Sequence, residues 1–346
     1  SSHQVIALWL GDMAPDGRAL LRAHWRQARP DGDEAAFARA WEGWLRAGMV
    51  TGAPEAAPSP PPANGDFLRE PPAPPAGDLA LLLRPDPAVW DGRYANNAWL
   101  QELPRPLSQL CWGNAALVAP ALAAEYGLRD GDEVELRCGA RRLAAPVLIM
   151  PGQAPRSVTL HLGYGRRRAG RVGDGVGVDG YALRTLDAPW RQAGLQLHPT
   201  GRRLPLAVTQ PQADMQGREP ARELDLAAWR RLAAAPPAPP AEAPSLYPPR
   251  TPGRHRWAMA IDLDSCIGCK ACTIACQAEN NIPVVGAEQV ALGRQLHWLR
   301  VDRYAEGEPA APRFHHQPVP CMHCEQAPCE VVCPVGASTC RSTTAA

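Results

Sequence analysis

The chain has 346 residues, enough for two domains of ordinary size, and 45% of them are apolar. Its formal net charge of +1 leaves no basic surplus to neutralise phosphates, so nucleic acid is not an expected partner. No apolar stretch is long enough to cross a bilayer, so any attachment to a membrane depends on a partner. Because the sequence begins with Ser1 and ends at Ala346 without a closing element, we expect it to be a piece of a longer polypeptide.

The first predicted element is an amphipathic helix over residues 33–48. Apolar side chains at helical spacing and a capping residue at each end indicate it: Phe37, Trp41, Trp44, Leu45, Asp33 and Gly48. The proline-rich stretch 53–77 predicts a linker or an extended surface segment.

Residues 78–200 have the texture of short strands and tight turns. The predicted strands are apolar or alternating runs at 79–83, 133–137, 145–150 and 157–162. A short helix is expected near 116–126, and the basic cluster 166–168 is typical of a solvated loop. Many short strands with regular turns indicate a closed or nearly closed β barrel. A second proline-rich stretch, 235–253, predicts a stiff linker.

Two runs of four cysteines follow that linker. The first run has spacings of three, three and four, and consists of Cys266, Cys269, Cys272 and Cys276. Three thiolates this close can hold one face of a cubane cluster, and the fourth can serve a neighbouring cluster. Gly268 lets the backbone bend so that amide N–H groups aim at the cluster sulfurs. The second run repeats the scheme, ends in Cys-Pro334, and consists of Cys321, Cys324, Cys329 and Cys333.

This pattern predicts iron–sulfur clusters and an electron-transfer role. Structural zinc usually takes two separated cysteine pairs, and cysteines at these spacings do not pair readily as disulfides. The isolated cysteines Cys111, Cys138 and Cys340 are interpreted as buried or incidental thiols. Histidines near the runs are assigned to packing or hydrogen bonding, with a tuning role as the alternative: His297, His315, His316 and His323. Lys270 and Arg294 are candidates for balancing the cluster charge.

The residues also resemble a known family. Residues 261–336 resemble the multi-cluster ferredoxin subunits of the dimethyl-sulfoxide-reductase-type molybdopterin oxidoreductases. The segments that resemble the C-terminal, dinucleotide-binding-like domain of the catalytic subunits are 85–102, 110–116, 161–166 and 169–171. Both parts on one chain are similar to the large iron–sulfur subunit of alternative complex III, a quinol oxidase module.

The resemblance implies a mixed α+β chain with a double-psi β barrel followed by a ferredoxin-like iron–sulfur domain. The implied domains are a tail with its linker, the barrel, a second linker and a truncated ferredoxin-type domain, at 1–77, 78–200, 201–253 and 254–346. The barrel is expected to be a structural vestige, with molybdopterin not expected. The alternative is that this chain is part of a molybdopterin-dependent oxidoreductase and binds the pterin.

The resemblance further implies the partners and the location. Electrons would come from a membrane-integral, quinol-oxidising subunit and leave to c-type cytochrome subunits. The protein would be peripheral on the periplasmic face of the inner membrane, exported by a twin-arginine signal outside this sequence.

The wiring of the clusters stays open at this point. Family members carry two further cysteine motifs, which complete the ligand sets of the first two, and one three-iron cluster is an alternative in the full-length protein. In the wiring of two-cluster ferredoxins, Cys333 completes the first run and Cys276 completes the second. On the family wiring, no cluster has all four ligands within this sequence, and we expect the isolated piece to be poorly metallated.

Overall fold

A computed structural model describes residues 2–12, 16–29, 32–50, 78–234, 258–324 and 327–336. The chain forms two compact units, Ser1–Pro72 and Ala73–Ala346. Both proline-rich stretches and Cys340 lie outside the described residues.

The described residues of the first unit form three helices, α1 (Ser2–Trp9), α2 (Gly17–Ala28) and α3 (Glu34–Ala47). The predicted helix is confirmed as α3, because the Asp33 carboxylate accepts the Ala36 N–H and Gly48 ends the helix in the left-handed conformation. Its buried side chains are those that the spacing predicted, Phe37, Trp41 and Trp44.

The second unit is a mixed α/β structure. Its strands are β1 (Ala80–Pro85), β2 (Leu110–Cys111), β3 (Ala116–Val118), β4 (Asp132–Cys138), β5 (Arg141–Ile149), β6 (Ser157–Leu162), β7 (Arg191–Ala193), β8 (Gln196–Arg203), β9 (Ala207–Val208), β10 (Arg300–Glu306) and β11 (Arg313–Val319). Its helices are α4 (Ala98–Glu102), α5 (Pro120–Tyr126), α6 (Leu226–Ala234), α7 (Ala271–Glu279), α8 (Ala287–Ala291) and α9 (Pro328–Val331).

Seven strands form one curled sheet in the order β7-β1-β6-β3-β5-β4-β8. The pairs β1–β6 and β3–β5 are parallel and the other pairs are antiparallel. The core between the sheet and α5 is aliphatic, and Leu81, Val134 and Leu160 are fully buried in it. All four predicted strands are present, but the double-psi arrangement stays a prediction.

One element was predicted wrongly. The helix expected near 116–126 begins only at Pro120, and residues 116–118 are strand β3. Ala116, Leu117 and Val118 are all buried between β5 and β6, and Pro120 starts α5 at a position where its missing N–H costs nothing.

The cysteine-bearing segment packs on the sheet domain within the same unit. The hairpin β10–β11, α7 and α8 lie against the loops around α4, β2 and β9. None of the described helices is long and apolar enough to cross a membrane.

Candidate iron–sulfur site

The loop that leads into the first cysteine run is preorganised. The Asp262 carboxylate accepts the N–H groups of Asp264 and Ser265 and the Ser265 hydroxyl, and these bonds hold the pKa of Asp262 below its usual value. Gly268 has φ +66°, and a Cβ there would overlap the His316 imidazole. Only glycine therefore fits at position 268, between the predicted ligands Cys266 and Cys269.

Lys270 lies between two predicted ligands, yet its side chain is buried. It has φ +66°, is 2% exposed, and its Nζ donates to Gln109 Oε1 at 3.0 Å and to the Val301 carbonyl. Burial lowers the pKa of Lys270 to about 8, and the neighbouring Asp302 carboxylate opposes that shift. The lysine thus ties the first cysteine loop to β10 and to the sheet domain.

Helix α7 presents the last two cysteines of the first run on one face, because Cys272 and Cys276 are four residues apart. Thr273 and Gln277 lie on the buried face of the same helix. Asn280 Nδ2 donates to Cys276 Sγ at 3.6 Å. Donors to ligand sulfur of this kind orient thiolates and tune clusters, and the sequence pattern did not identify Asn280.

The second run is more open. Cys321, Cys324 and Cys329 are exposed, and Cys333 is half-buried directly after α9. Exposed apolar side chains lie beside the cysteines of both runs: Ile267, Met322, Val331, Val332 and Val335. Cys269 and Cys272 of the first run are exposed as well, so five of the eight predicted ligands have exposed thiols.

A buried carboxylate joins the cysteine-bearing segment to the sheet domain. Glu102, at the end of α4, is 1% exposed and accepts Trp112 Nε1 at 2.9 Å. It also accepts the N–H groups of Val285, at 3.0 Å, and Gly286, at 2.9 Å, just before α8. A carboxylate with three N–H donors is well satisfied without a cation.

The boundary between the cysteine-bearing segment and the sheet domain, here called the seam, also contains a cavity of about 280 Å³. It is lined from one side by Gln109 and Gln210, and from the other by Lys270, Thr273 and the 295–302 segment. Three of its buried polar atoms have no hydrogen-bond partner among the described residues: Thr273 Oγ1, Gln295 Oε1 and His297 Nε2. A polar cavity of this size accommodates ordered water that can pair with these atoms.

The loops that resemble a dinucleotide-binding domain are packed against one another. The Asn114 amide bonds to the His161 and Val178 backbone, and a Cβ at Gly177 would overlap that amide. A Cβ at Gly170 would likewise overlap Asn96. The glycines here allow close contact between loops, and the chain's own atoms fill the space beside them.

The predicted residues divide by location. Cys111 and Cys138 are buried, as predicted, and burial raises the pKa of Cys111 to about 12, so its thiol is unreactive. Arg166-Arg167-Arg168 is exposed. Lys270 is buried in the seam, whereas Arg294 is exposed and bonds to Gln289.

The four histidines differ in their surroundings. His315 bonds to Glu306 at 2.9 Å, whereas His323 is exposed on the second run. His297 and His316 each have a buried ring nitrogen without a partner in the described part of the chain, and burial lowers the pKa of both.

The donor set fits an iron–sulfur cluster. The thiols lie in two short loops with tight backbone turns, and His316 Nδ1, which has no hydrogen-bond partner among the described residues, lies against Gly268 of the first loop. The assignment of particular cysteines to particular clusters stays a prediction.

Residues 265–337, which contain all eight cysteines of the two runs, match the 4Fe-4S dicluster domain. The C-terminal region is therefore a 4Fe-4S cluster-binding domain. The iron-sulfur cluster-binding subunit of menaquinone reductase from Nitratidesulfovibrio vulgaris is 44% identical over 84 residues, which cover 24% of this chain and 32% of that protein. The iron-sulfur subunit of arsenate respiratory reductase from a Shewanella species is 37% identical over 82 residues, 24% of this chain and 31% of that protein.

The chain spans about a third of the length of these curated relatives. Among solved structures, acetylene hydratase from Pelobacter acetylenicus is similar over 35% of this chain and 18% of its own, with 14% identity and a TM-score of 0.27. That likeness is too weak to support an argument about the fold.

Proposed function

We propose that this protein is the electron-transfer iron–sulfur subunit of a membrane-associated oxidoreductase complex, of the alternative complex III type. The observation that carries the proposal is the pair of four-cysteine runs within the dicluster domain. Relatives of that domain are named as iron–sulfur subunits of reductases, which supports a relay role. The clusters supply one-electron chemistry, and the protein holds them and sets their potentials.

In this proposal a membrane-integral subunit oxidises quinol and c-type cytochrome subunits accept the electrons, on the periplasmic side of the inner membrane. The exposed thiols and their apolar neighbours support the idea that further polypeptide covers both runs. The eight ligands are Cys266, Cys269, Cys272, Cys276, Cys321, Cys324, Cys329 and Cys333. The clusters are of the 4Fe–4S type, with one three-iron cluster as the alternative in the full-length protein.

The sheet domain has a supporting role in this proposal, as a double-psi barrel without molybdopterin. The loops that would face a dinucleotide instead contact each other through Asn114, Asn96 and the glycines beside them. The Glu102 and Lys270 contacts support a scaffold that holds the cluster domain in place.

Metal analysis of the full-length protein, purified without oxygen, tests the proposal. We expect iron and acid-labile sulfide in equal amounts, broad visible absorbance and an EPR signal after reduction, without pterin or molybdenum. Zinc as the sole metal would contradict the cluster assignment, and stoichiometric pterin would favour a molybdopterin-dependent enzyme.

Two matched variants locate the iron. Cys269→Ala removes a predicted ligand, so we expect it to lose the iron of one cluster. Cys111→Ala removes a buried thiol outside the runs, so its iron content should equal that of the unmodified protein. Equal iron loss in both variants would show that the runs are not the site.

A further inference from the structure

Arg303, on β10, is a buried cation without a counter-ion among the described residues. It is 4% exposed, and neither its Nε nor its Nη1 has a hydrogen-bond partner in that part of the chain. Burial alone lowers its pKa, and no carboxylate opposes the shift. An uncompensated guanidinium inside a protein is strongly unfavourable, so a negative charge should lie nearby in the working molecule.

The backbone of Arg303 is held firmly. The Gln210 amide donates to the Arg303 carbonyl at 2.8 Å and accepts the Arg303 N–H at 2.8 Å. These two hydrogen bonds fix the backbone of Arg303 to the sheet domain, so the starting point of its side chain on β10 is fixed as well.

The hairpin register brings this charge next to the first cysteine loop. Arg303 lies directly opposite His316 on β11, and the His316 ring lies against Gly268, between Cys266 and Cys269. His316 Nδ1 is also buried and without a partner in the described chain. Two unsatisfied polar groups on adjacent strands thus lie behind the same loop.

A second cation strengthens the pattern. Lys270 reaches the carbonyl of Val301, two residues from Arg303 on the same strand. The Asp302 carboxylate, which acts on Lys270, is also paired with Arg300 at 3.0 Å. Arg303 itself has no acidic partner in the described part of the chain.

We propose that Arg303 provides the counter-charge for the cluster on the first cysteine run, that the neutral His316 imidazole adds an N–H donor at Nδ1, and that both raise the reduction potential of that cluster. This inference rests on the proposed cluster binding. A cluster with its thiolate ligands is anionic and becomes more so when it accepts an electron. A fixed cation behind the loop stabilises the reduced form more than the oxidised form.

Redox titration of the cluster-loaded, full-length protein, followed by EPR, tests the inference. Arg303→Met removes the charge and keeps much of the side-chain volume. We expect one cluster to become about tenfold harder to reduce, a fall of about 59 mV in its midpoint potential for a one-electron step. Arg303→Lys keeps the charge and should retain most of the potential.

Arg300→Met is the matched control, because Arg300 lies on the same strand, is exposed and is paired with Asp302. Its midpoint potentials should equal those of the unmodified protein. His316→Phe removes the second donor and should lower the same potential in the same direction; it also serves as the test if Arg303→Met does not retain its cluster.

An unchanged potential in Arg303→Met, or an equal shift in Arg300→Met, would overturn the inference while leaving the cluster assignment intact. Absence of iron from the unmodified protein would instead contradict the proposed function itself.

Discussion

Asp86 and Arg105 form an ion pair inside the sheet domain. Their side chains are 1% and 3% exposed, and Arg105 Nε lies 3.1 Å from Asp86 Oδ2. The other Asp86 oxygen accepts the N–H groups of Ala88 and Val89. Arg105 also donates to the Leu103 carbonyl at 2.7 Å. The pair fixes the loop after β1 against the segment that directly follows Glu102, the last residue of α4.

We expect Asp86→Asn to destabilise the protein by about 3–5 kcal/mol, because the buried Arg105 charge loses its only carboxylate partner in the described chain. Chemical denaturation measures the free energy of unfolding. Asp91→Asn is the matched control, since Asp91 pairs with Arg93 at the surface and its removal should change stability little. A similar loss of unfolding free energy in the two variants would show that burial of the ion pair does not determine its contribution to stability.

At the scale of elements, the contact between α4 and the start of α8 attaches the cysteine-bearing segment to the sheet domain. All three N–H donors bond to Glu102 Oε2, and the Val285 N–H also reaches Oε1. Glu102→Gln removes the negative charge to which these groups donate and replaces one carboxylate oxygen by an amide NH2 group, which cannot accept a hydrogen bond. We expect a loss of about 2–3 kcal/mol, since hydrogen bonds to a charged group have this order of strength.

Hydrogen exchange checks this second prediction residue by residue. The Val285 and Gly286 amides should lose protection in Glu102→Gln, whereas amides at the centre of β5 and β6 should keep theirs. Uniform loss across the sheet would indicate global unfolding and contradict a local docking role.

The elements differ in how far the sequence predicts them. The alternating patterns in β4 and β6 give clear strands, and the Asp33 and Gly48 caps give α3. The hairpin β10–β11 was not predicted, because its inner face carries Arg303, which is buried, opposite His316. Burial of such residues depends on tertiary neighbours rather than on a local period.

The same limit applies to the site. The spacing of cysteines predicts the chemistry of the two runs, since ligand geometry is local in sequence. Glu102 and Gln109 lie far along the chain from Gly286 and Lys270, which they contact only after folding. Pairing across the two parts of a fold leaves no pattern in a single sequence.

For the molecule as a whole, buried histidine makes stability depend on pH. Burial lowers the pKa of His161, on β6, below 6.5 in the folded state, so the unfolded chain takes up a proton first as the pH falls. His161 therefore contributes stability above pH 6.5 that is lost below it. We expect a lower denaturation midpoint at about pH 5 than at about pH 7.

His161→Gln should reduce that difference between the acidic and the neutral pH, whereas substitution of the exposed His198 on β8 should leave it unchanged. Denaturation midpoints of the variants at both pH values give the comparison. An unchanged difference in His161→Gln would assign the acid sensitivity to other groups.

Glu102 recognises the neighbouring segment through main-chain N–H groups rather than side chains. The hydrogen bond itself sets no side chain at position 285 and excludes only proline, because every other amino acid supplies the same donor. The demand on position 285 comes instead from packing, since Val285 lies against the apolar cluster of Cys111, Ala207 and Val290. At position 286 the backbone sets the residue, because a φ of +89° favours glycine. Substitutions at this joint are therefore limited by charge at residue 102, by apolar volume at residue 285 and by backbone conformation at residue 286.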